Sequence, residues 1–230
     1  MNLSFFKDFL HLLFPHNCEG CGTDILNEDS YLCAKCLTQL PDTGFISHAG
    51  NPIENRLIGR MKVAQAAAGY YFTKDGLLQL LINQLKYKNN KEMGYYLGKL
   101  LAYQLEETDR FNGVDVFIPL PLNKRREEKR GYNQAQMICE GIVSVWSRPI
   151  VNNAIIRNIE TETQTNKSLG NRWDNVAYAF KVIDPSLIIN KHICLVDDVI
   201  TTGASMEACG SKLLEVEGVT LSLLTVGYTV

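Results

Sequence analysis

The feature that most constrains this chain is the run at positions 193–205, Ile-Cys-Leu-Val-Asp-Asp-Val-Ile-Thr-Thr-Gly-Ala-Ser. Its first four residues, Ile193, Cys194, Leu195 and Val196, have the continuous apolar character of a strand buried on both faces of a parallel sheet. The strand runs into two adjacent carboxylates, Asp197 and Asp198. They therefore lie at the carboxyl edge of a sheet, where open α/β folds hold ligands. Val199 and Ile200 lead to a small, hydroxyl-rich loop, Thr201, Thr202, Gly203, Ala204 and Ser205, which opens a helix. Loop N–H groups, hydroxyls and the helix N-terminus together form a cradle for phosphate. An acid pair beside such a cradle suits one molecule with neighbouring hydroxyls at one end and phosphate at the other, the shape of a ribose 5-phosphate. A capped β-α turn explains Gly203 and Ser205 but not the two carboxylates. A nucleotide-hydrolase acid strand would need a G-x-x-x-x-G-K-[ST] loop, which the chain lacks.

From about Ala66 onward, short apolar runs alternate with longer amphipathic ones. Strands are expected at 66–72, 114–119, 154–157, 179–183, 193–196 and 221–226. Helices are expected at 77–88, 93–106, 134–146 and 205–216, the last ended by Gly218. Such alternation implies an α/β fold with a mostly parallel sheet flanked by helices. The 230 residues suffice for one such domain plus a small accessory module. The expected division is an N-terminal helix and cysteine finger at 1–40, a linker or hood segment at 41–65 marked by Pro41, Gly44, Gly50 and Pro52, and the main domain at 66–230.

The accessory module is written in cysteine. Of seven cysteines, four form the pairs Cys18-x-x-Cys21 and Cys33-x-x-Cys36. Two such pairs across a short loop have the spacing of a closed, double zinc-ribbon-like four-cysteine finger, in which zinc is structural because no coordination position stays open. Gly20 and Gly22 relax the first knuckle, and His16 is a further candidate ligand. Cys139, Cys194 and Cys209 read as small buried hydrophobes.

Two more segments carry charge or polarity. After the strand ending in Pro119 come Lys124, Arg125, Arg126, Lys129 and Arg130. This charged loop is placed to meet an anionic group. A solvated loop balanced by Glu127 and Glu128, or contact with single-stranded DNA, are the other readings. The polar stretch 157–175 fits a functional lid. The net charge of −2 gives no global basic field. At the front, Leu3, Phe6, Leu10 and Leu13 share one helical stripe, but Lys7, Asp8 and His11 interrupt a run too short to span a bilayer. A docking helix, no membrane insertion and a cytoplasmic protein with reduced thiols are expected.

The segment around Asp197 and Asp198 resembles the phosphoribosyl-diphosphate (PRPP) motif of type I phosphoribosyltransferases. Across nearly the whole chain, the features resemble the ComF/GntX family (competence protein F, amidophosphoribosyltransferase-like proteins). The likeness rests on the cysteine finger, Leu85-Lys86-Tyr87, Pro119-Leu120-Pro121, and Arg130-Gly131-Tyr132-Asn133-Gln134. It extends through Arg157, Thr161, Gln164, Arg172, Asn175 and Ala179-Phe180 to the acid pair. The chain departs from the family pattern at Lys167 and Ile200. The resemblance implies a type I phosphoribosyltransferase-like fold with Asp197, Asp198, Lys86 and Arg130 as catalytic residues. It implies PRPP or phosphate binding by Val199, Thr201, Thr202, Gly203, Ala204, Ser205, Arg126, Arg157, Thr161, Gln164 and Arg172. Mg²⁺ would arrive with PRPP, and zinc would sit on Cys18, Cys21, Cys33 and Cys36. The implied role is phosphoribosyl transfer to an acceptor, linked to natural competence and DNA uptake. A non-catalytic PRPP or nucleotide sensor, or an adaptor for single-stranded DNA and uptake proteins, is the other implied role.

Overall fold

The structure, a computed structural model, describes residues 15–25, 30–88, 90–157 and 179–230. A four-stranded, wholly parallel sheet forms the centre, in the order β1-β6-β5-β2. Its strands are β1 (Gln65–Phe72), β2 (Val116–Pro119), β5 (His192–Ile200) and β6 (Thr220–Thr229). Parallel strands need crossovers. Here they are α3 (Leu77–Tyr87), α4 (Lys91–Glu106), α6 (Gln134–Val145) and α7 (Ala204–Leu214). α6 packs on β2 and β5, α7 on β5 and β6, and α3 on β1. Leu221, Leu223, Leu224 and Val226 of β6 are buried, as are Ile193, Cys194, Leu195 and Val196 of β5, so the two middle strands form the core. The mostly parallel, helix-flanked α/β fold expected from the apolar pattern is what the chain adopts.

The helices approach each other closely where glycine allows it. A Cβ on Gly98 of α4 would lie 2.1 Å from the Ile138 carbonyl oxygen, and one on Gly141 of α6 would lie 2.0 Å from that of Tyr95.

Several elements differ from the sequence expectation. The charged loop is a helix, α5 (Lys124–Arg130), capped by Asn123 and ended by Gly131 at φ 78°. It buries no residue, so no apolar period marked it. The expected strands near 155 and 180 do not join the parallel sheet. They form a separate antiparallel ribbon of β3 (Ile155–Arg157) and β4 (Phe180–Val182). Each has one buried residue, Ile155 or Phe180, too little for a place in the core. The stretch 41–65 holds more structure than a linker needs. It contains α2 (Pro52–Leu57), capped by Asn51 with Ile53 and Leu57 buried, and Glu54 receives both Arg110 Nη2 at 2.5 Å and the Ala66 N–H at 3.0 Å. α1 (Ala34–Thr38) is capped by Cys33 and contains Cys36, the second cysteine pair. The stripe of Leu3, Phe6, Leu10 and Leu13, and the lid positions Thr161, Gln164, Lys167, Arg172, Trp173 and Asn175, lie outside the described residues. Among the described residues, no helix is long and apolar enough to cross a membrane.

Candidate functional site

β5 does not stop at Val196 but continues through both carboxylates to Ile200. The acid pair therefore sits on the last pleats of a central strand. Successive side chains there point to opposite faces, and the two carboxylates part accordingly. Asp198 is 7% exposed and receives Lys86 Nζ at 2.9 Å on Oδ1. Asp197 turns back, and its Oδ1 accepts the Asp198 N–H at 2.8 Å. Burial, and then the neighbouring Asp198 charge, raise the Asp197 carboxyl to about 7, against the lowering pull of that N–H, Lys86 and Arg157. One buried acid is thus ion-paired while its neighbour holds its proton toward neutral pH.

The chain brings distant residues to this point. Lys86 is in the last turn of α3, Arg126 and Arg130 are on α5, and Arg157 ends β3. All four line one cavity of about 130 Å³ with Asp197, Asp198 and Ser205. Secondary contacts orient them. Arg130 donates to Gln134 Oε1 at 2.5 Å and lies 5.9 Å from the Tyr87 ring centroid. The Tyr132 hydroxyl donates to the Leu85 carbonyl, tying the start of α6 to the turn that delivers Lys86. Asn133 caps α6 and donates to the Leu120 carbonyl at 3.0 Å. Four cations around two carboxylates leave a positive surplus in a small space, which suits a polyanion carrying hydroxyls.

The phosphate-cradle segment follows at once. Gly203 takes φ 81°, the left-handed turn that glycine favours, at the N-cap of α7. Thr202 Oγ1 accepts the Ala204 N–H at 3.4 Å. Only Ser205 of this loop lines the acid-pair cavity. Thr201 and Thr202 face a separate open cavity of about 440 Å³ shared with Arg56, and Val199, Gly203 and Ala204 line neither of the two. Arg56 was not visible as a site residue from sequence. It reaches from α2 to the Thr201 carbonyl at 2.6 Å and the Tyr228 hydroxyl at 3.0 Å. No local signal could find it, since the contact spans 145 positions. Gln134 was missed as a partner of Arg130, although its place just after the basic run is a usable cue. Thr161, Gln164 and Arg172 fall outside the described residues.

The four cysteines of the front module converge. Their sulfurs all lie within 4.8 Å of one another, with Cys21 and Cys33 at 3.7 Å. Tetrahedral zinc with bonds of about 2.3 Å implies sulfur separations of about 3.8 Å, so the four thiols fit such an ion. Burial raises the Cys18 thiol, but N–H groups of Cys33, Cys21 and Gly20 outweigh it and bring Cys18 down to about 6. Burial, with the hydrogen bonds that its S–H gives to the sulfurs of Cys21, Cys18 and Cys33, pushes Cys36 up to about 12. Gly22 has the positive φ expected of a knuckle, 73°. Gly20 serves packing instead, because a Cβ there would lie 2.9 Å from both Cys36 Sγ and Leu77 of α3. His16 takes no part, bonding the Ser30 carbonyl at 2.8 Å.

No family model matches the chain. It is 29% identical to competence protein F of Haemophilus influenzae over 91% of this chain and 89% of that protein. It is 33% identical to DNA utilization protein YhgH of Escherichia coli O157:H7 over 60% of this chain and 61% of that protein. It is 24% identical to competence protein ComFC of Bacillus subtilis over 63% of this chain and 56% of that protein. With its α/β fold and its converging cysteines, the chain is similar to these competence and DNA utilization proteins, as its resemblance to the ComF family implies.

Proposed function

We propose that this chain binds Mg-PRPP, or another ribose 5-phosphate compound, across the cavity at the end of β5 and transfers phosphoribose to an acceptor. The observation that carries this reading is the meeting of Asp197 and Asp198 with Lys86, Arg126, Arg130 and Arg157 in one cavity, at the N-terminus of α7. In this reading the carboxylates accept hydrogen bonds from the ribose 2- and 3-hydroxyls. Ser205, on the cavity side of the Thr201–Ser205 loop, and the N–H groups opening α7 hold the 5-phosphate. Lys86, held by Asp198 at 2.9 Å before ligand arrives, exchanges that carboxylate for the diphosphate as Asp198 turns to a hydroxyl. It acts with Arg126, Arg130 and Arg157 on the charge that grows on diphosphate as its bond to C1 breaks. A structural zinc in the cysteine cluster and a cytoplasmic location belong to the same reading.

Calorimetry with Mg-PRPP on wild type and on Asp197→Asn with Asp198→Asn tests it. Hydrogen bonds to charged groups contribute about 1.5–3 kcal/mol each, so the double variant should lose about 100-fold or more in affinity. Equal affinity in the two proteins would sink the assignment.

A second reading has its own support in α5, whose five basic residues lie on a helix that buries none of them. The relatives' names refer to competence and DNA utilization. A non-catalytic sensor of PRPP or nucleotide, or an adaptor for incoming single-stranded DNA, would use the same cavity and this basic surface. Tight Mg-PRPP binding with no diphosphate release, across a panel of amines and nucleobases, selects the second reading.

A further inference from the structure

The loop between β5 and α7 is held from outside itself. Thr201 and Thr202 are exposed, and the contact within the loop is a long one, from the Ala204 N–H to Thr202 Oγ1 at 3.4 Å. Two successive carbonyls entering the loop are gripped by other parts of the chain. The Thr229 hydroxyl at the end of β6 donates to the Ile200 carbonyl at 3.3 Å. Arg56 Nη1 of α2 donates to the Thr201 carbonyl at 2.6 Å.

Arg56 is itself aimed. Its Nη2 donates to the Tyr228 hydroxyl at 3.0 Å. Tyr228 is buried, pairs with Ile200 across the sheet, and sets its ring edge-on to those of Phe45 and Tyr71. The planar guanidinium therefore bridges a fixed strand and the adjoining loop, a fork that the single ammonium of a lysine does not reproduce. A second arginine seats the same segment at the far end of the loop. Arg60, just past α2, donates from Nε to Glu207 Oε1 at 3.3 Å and pairs through Nη2 with Oε2. Glu207 is in the first turn of α7, so the segment from Arg56 to Arg60 spans the loop from its entry to the helix it opens.

The grip on Thr201 has a direction. Among the described residues the peptide bonds are trans, and in a planar trans peptide the C=O and the following N–H point to opposite sides. With its carbonyl turned to Arg56, the 201–202 peptide shows the Thr202 N–H to the side away from α2. A flipped peptide would present an oxygen there and repel an anion. We infer that Arg56 is a positioning residue of the phosphate loop: it fixes the 201–202 peptide so that a donor, not a carbonyl, faces the 5-phosphate held at the opening of α7. The role rests on the reading of the site as one for a ribose 5-phosphate compound.

The test is calorimetry of ribose 5-phosphate and, separately, of magnesium diphosphate, with wild type, Arg56→Ala and Tyr228→Phe. The second variant removes the hydroxyl that aims Arg56 and keeps both the guanidinium and the buried ring. Ribose 5-phosphate affinity should fall about tenfold in Arg56→Ala and about threefold in Tyr228→Phe. Diphosphate, which meets Lys86, Arg126, Arg130 and Arg157 instead, should bind both variants within about twofold of wild type. Unchanged ribose 5-phosphate affinity in Arg56→Ala overturns the role and leaves the reading of the site standing. An equal loss for the two ligands also overturns it, by making Arg56 a general brace of the fold. Loss in Arg56→Ala with none in Tyr228→Phe overturns it in favour of direct contact between Arg56 and the phosphate. If wild type binds neither ligand, the reading of the site falls and takes the role of Arg56 with it.

Discussion

Asp197 is held between opposing influences. Burial and the Asp198 charge favour its protonated form, while the Asp198 N–H, Lys86 and Arg157 favour the ionised one, and the balance leaves it near 7. The folded-state value is above the ordinary 3.8, so between about 4 and about 7 the folded protein keeps a proton that the unfolded chain gives up. The stability this group contributes is therefore full below about 4 and declines as pH rises toward 7. Asp197→Asn cannot ionise and keeps an oxygen for the Asp198 N–H, so it removes that decline. Thermal unfolding of the ligand-free proteins from pH 4 to pH 8 should give the variant a midpoint a few degrees above wild type at pH 8 and little difference at pH 4. One kcal/mol corresponds to about 2–4 °C in a chain of this size. Parallel pH profiles would show that Asp197 titrates as an ordinary carboxylate.

At the scale of elements, the tightest packing is between α4 and α6, where Gly98 and Gly141 let backbone meet backbone. Gly98→Ala favours the isolated helix by about 1 kcal/mol, but its methyl would sit 2.1 Å from the Ile138 carbonyl oxygen. The helices must part, and overpacking of this kind costs about 1–3 kcal/mol. Urea unfolding should show a net loss of stability, and unchanged or higher stability would mean that the two helices slide freely. Neither glycine was informative in sequence, because closeness between helices is a tertiary property. The same limit explains what else escaped. The central strands and α3, α4, α6 and α7 were legible because their burial imposes a period on the residues. α5 was not, since a helix of Lys, Arg and Glu that buries none of its residues carries no such period. At the site, Asp197, Asp198 and the loop to Ser205 were legible because they are contiguous. The reach of Arg56 depends on which strand lies beside which, and the order β1-β6-β5-β2 is not written in any one segment.

Taken whole, the molecule links the cysteine module to the acid pair through one helix. Gly20 packs on Leu77 at the start of α3, Gln84 in its middle reaches the Glu19 carbonyl at 3.5 Å, and Lys86 at its end pairs with Asp198. Leu32 is buried and Tyr31 lies 5.4 Å from the Tyr96 ring of α4, so the module also braces the neighbouring helix. A metal that fixes the four thiolates would therefore steady α3 along its length, and with it the position of Lys86. Metal analysis should find about one zinc per chain, and Cys21→Ser, at an exposed position, should lower that content. Hydrogen exchange at the amides of α3 should quicken in the variant, while exchange in β5 and β6, covered by other helices, changes little. Mg-PRPP affinity should fall with the protection of α3, since Lys86 would no longer be presented from a fixed turn. If the metal is lost and α3 keeps its full protection, the module folds for itself alone, and Lys86 is positioned by the Tyr132 bond to the Leu85 carbonyl instead.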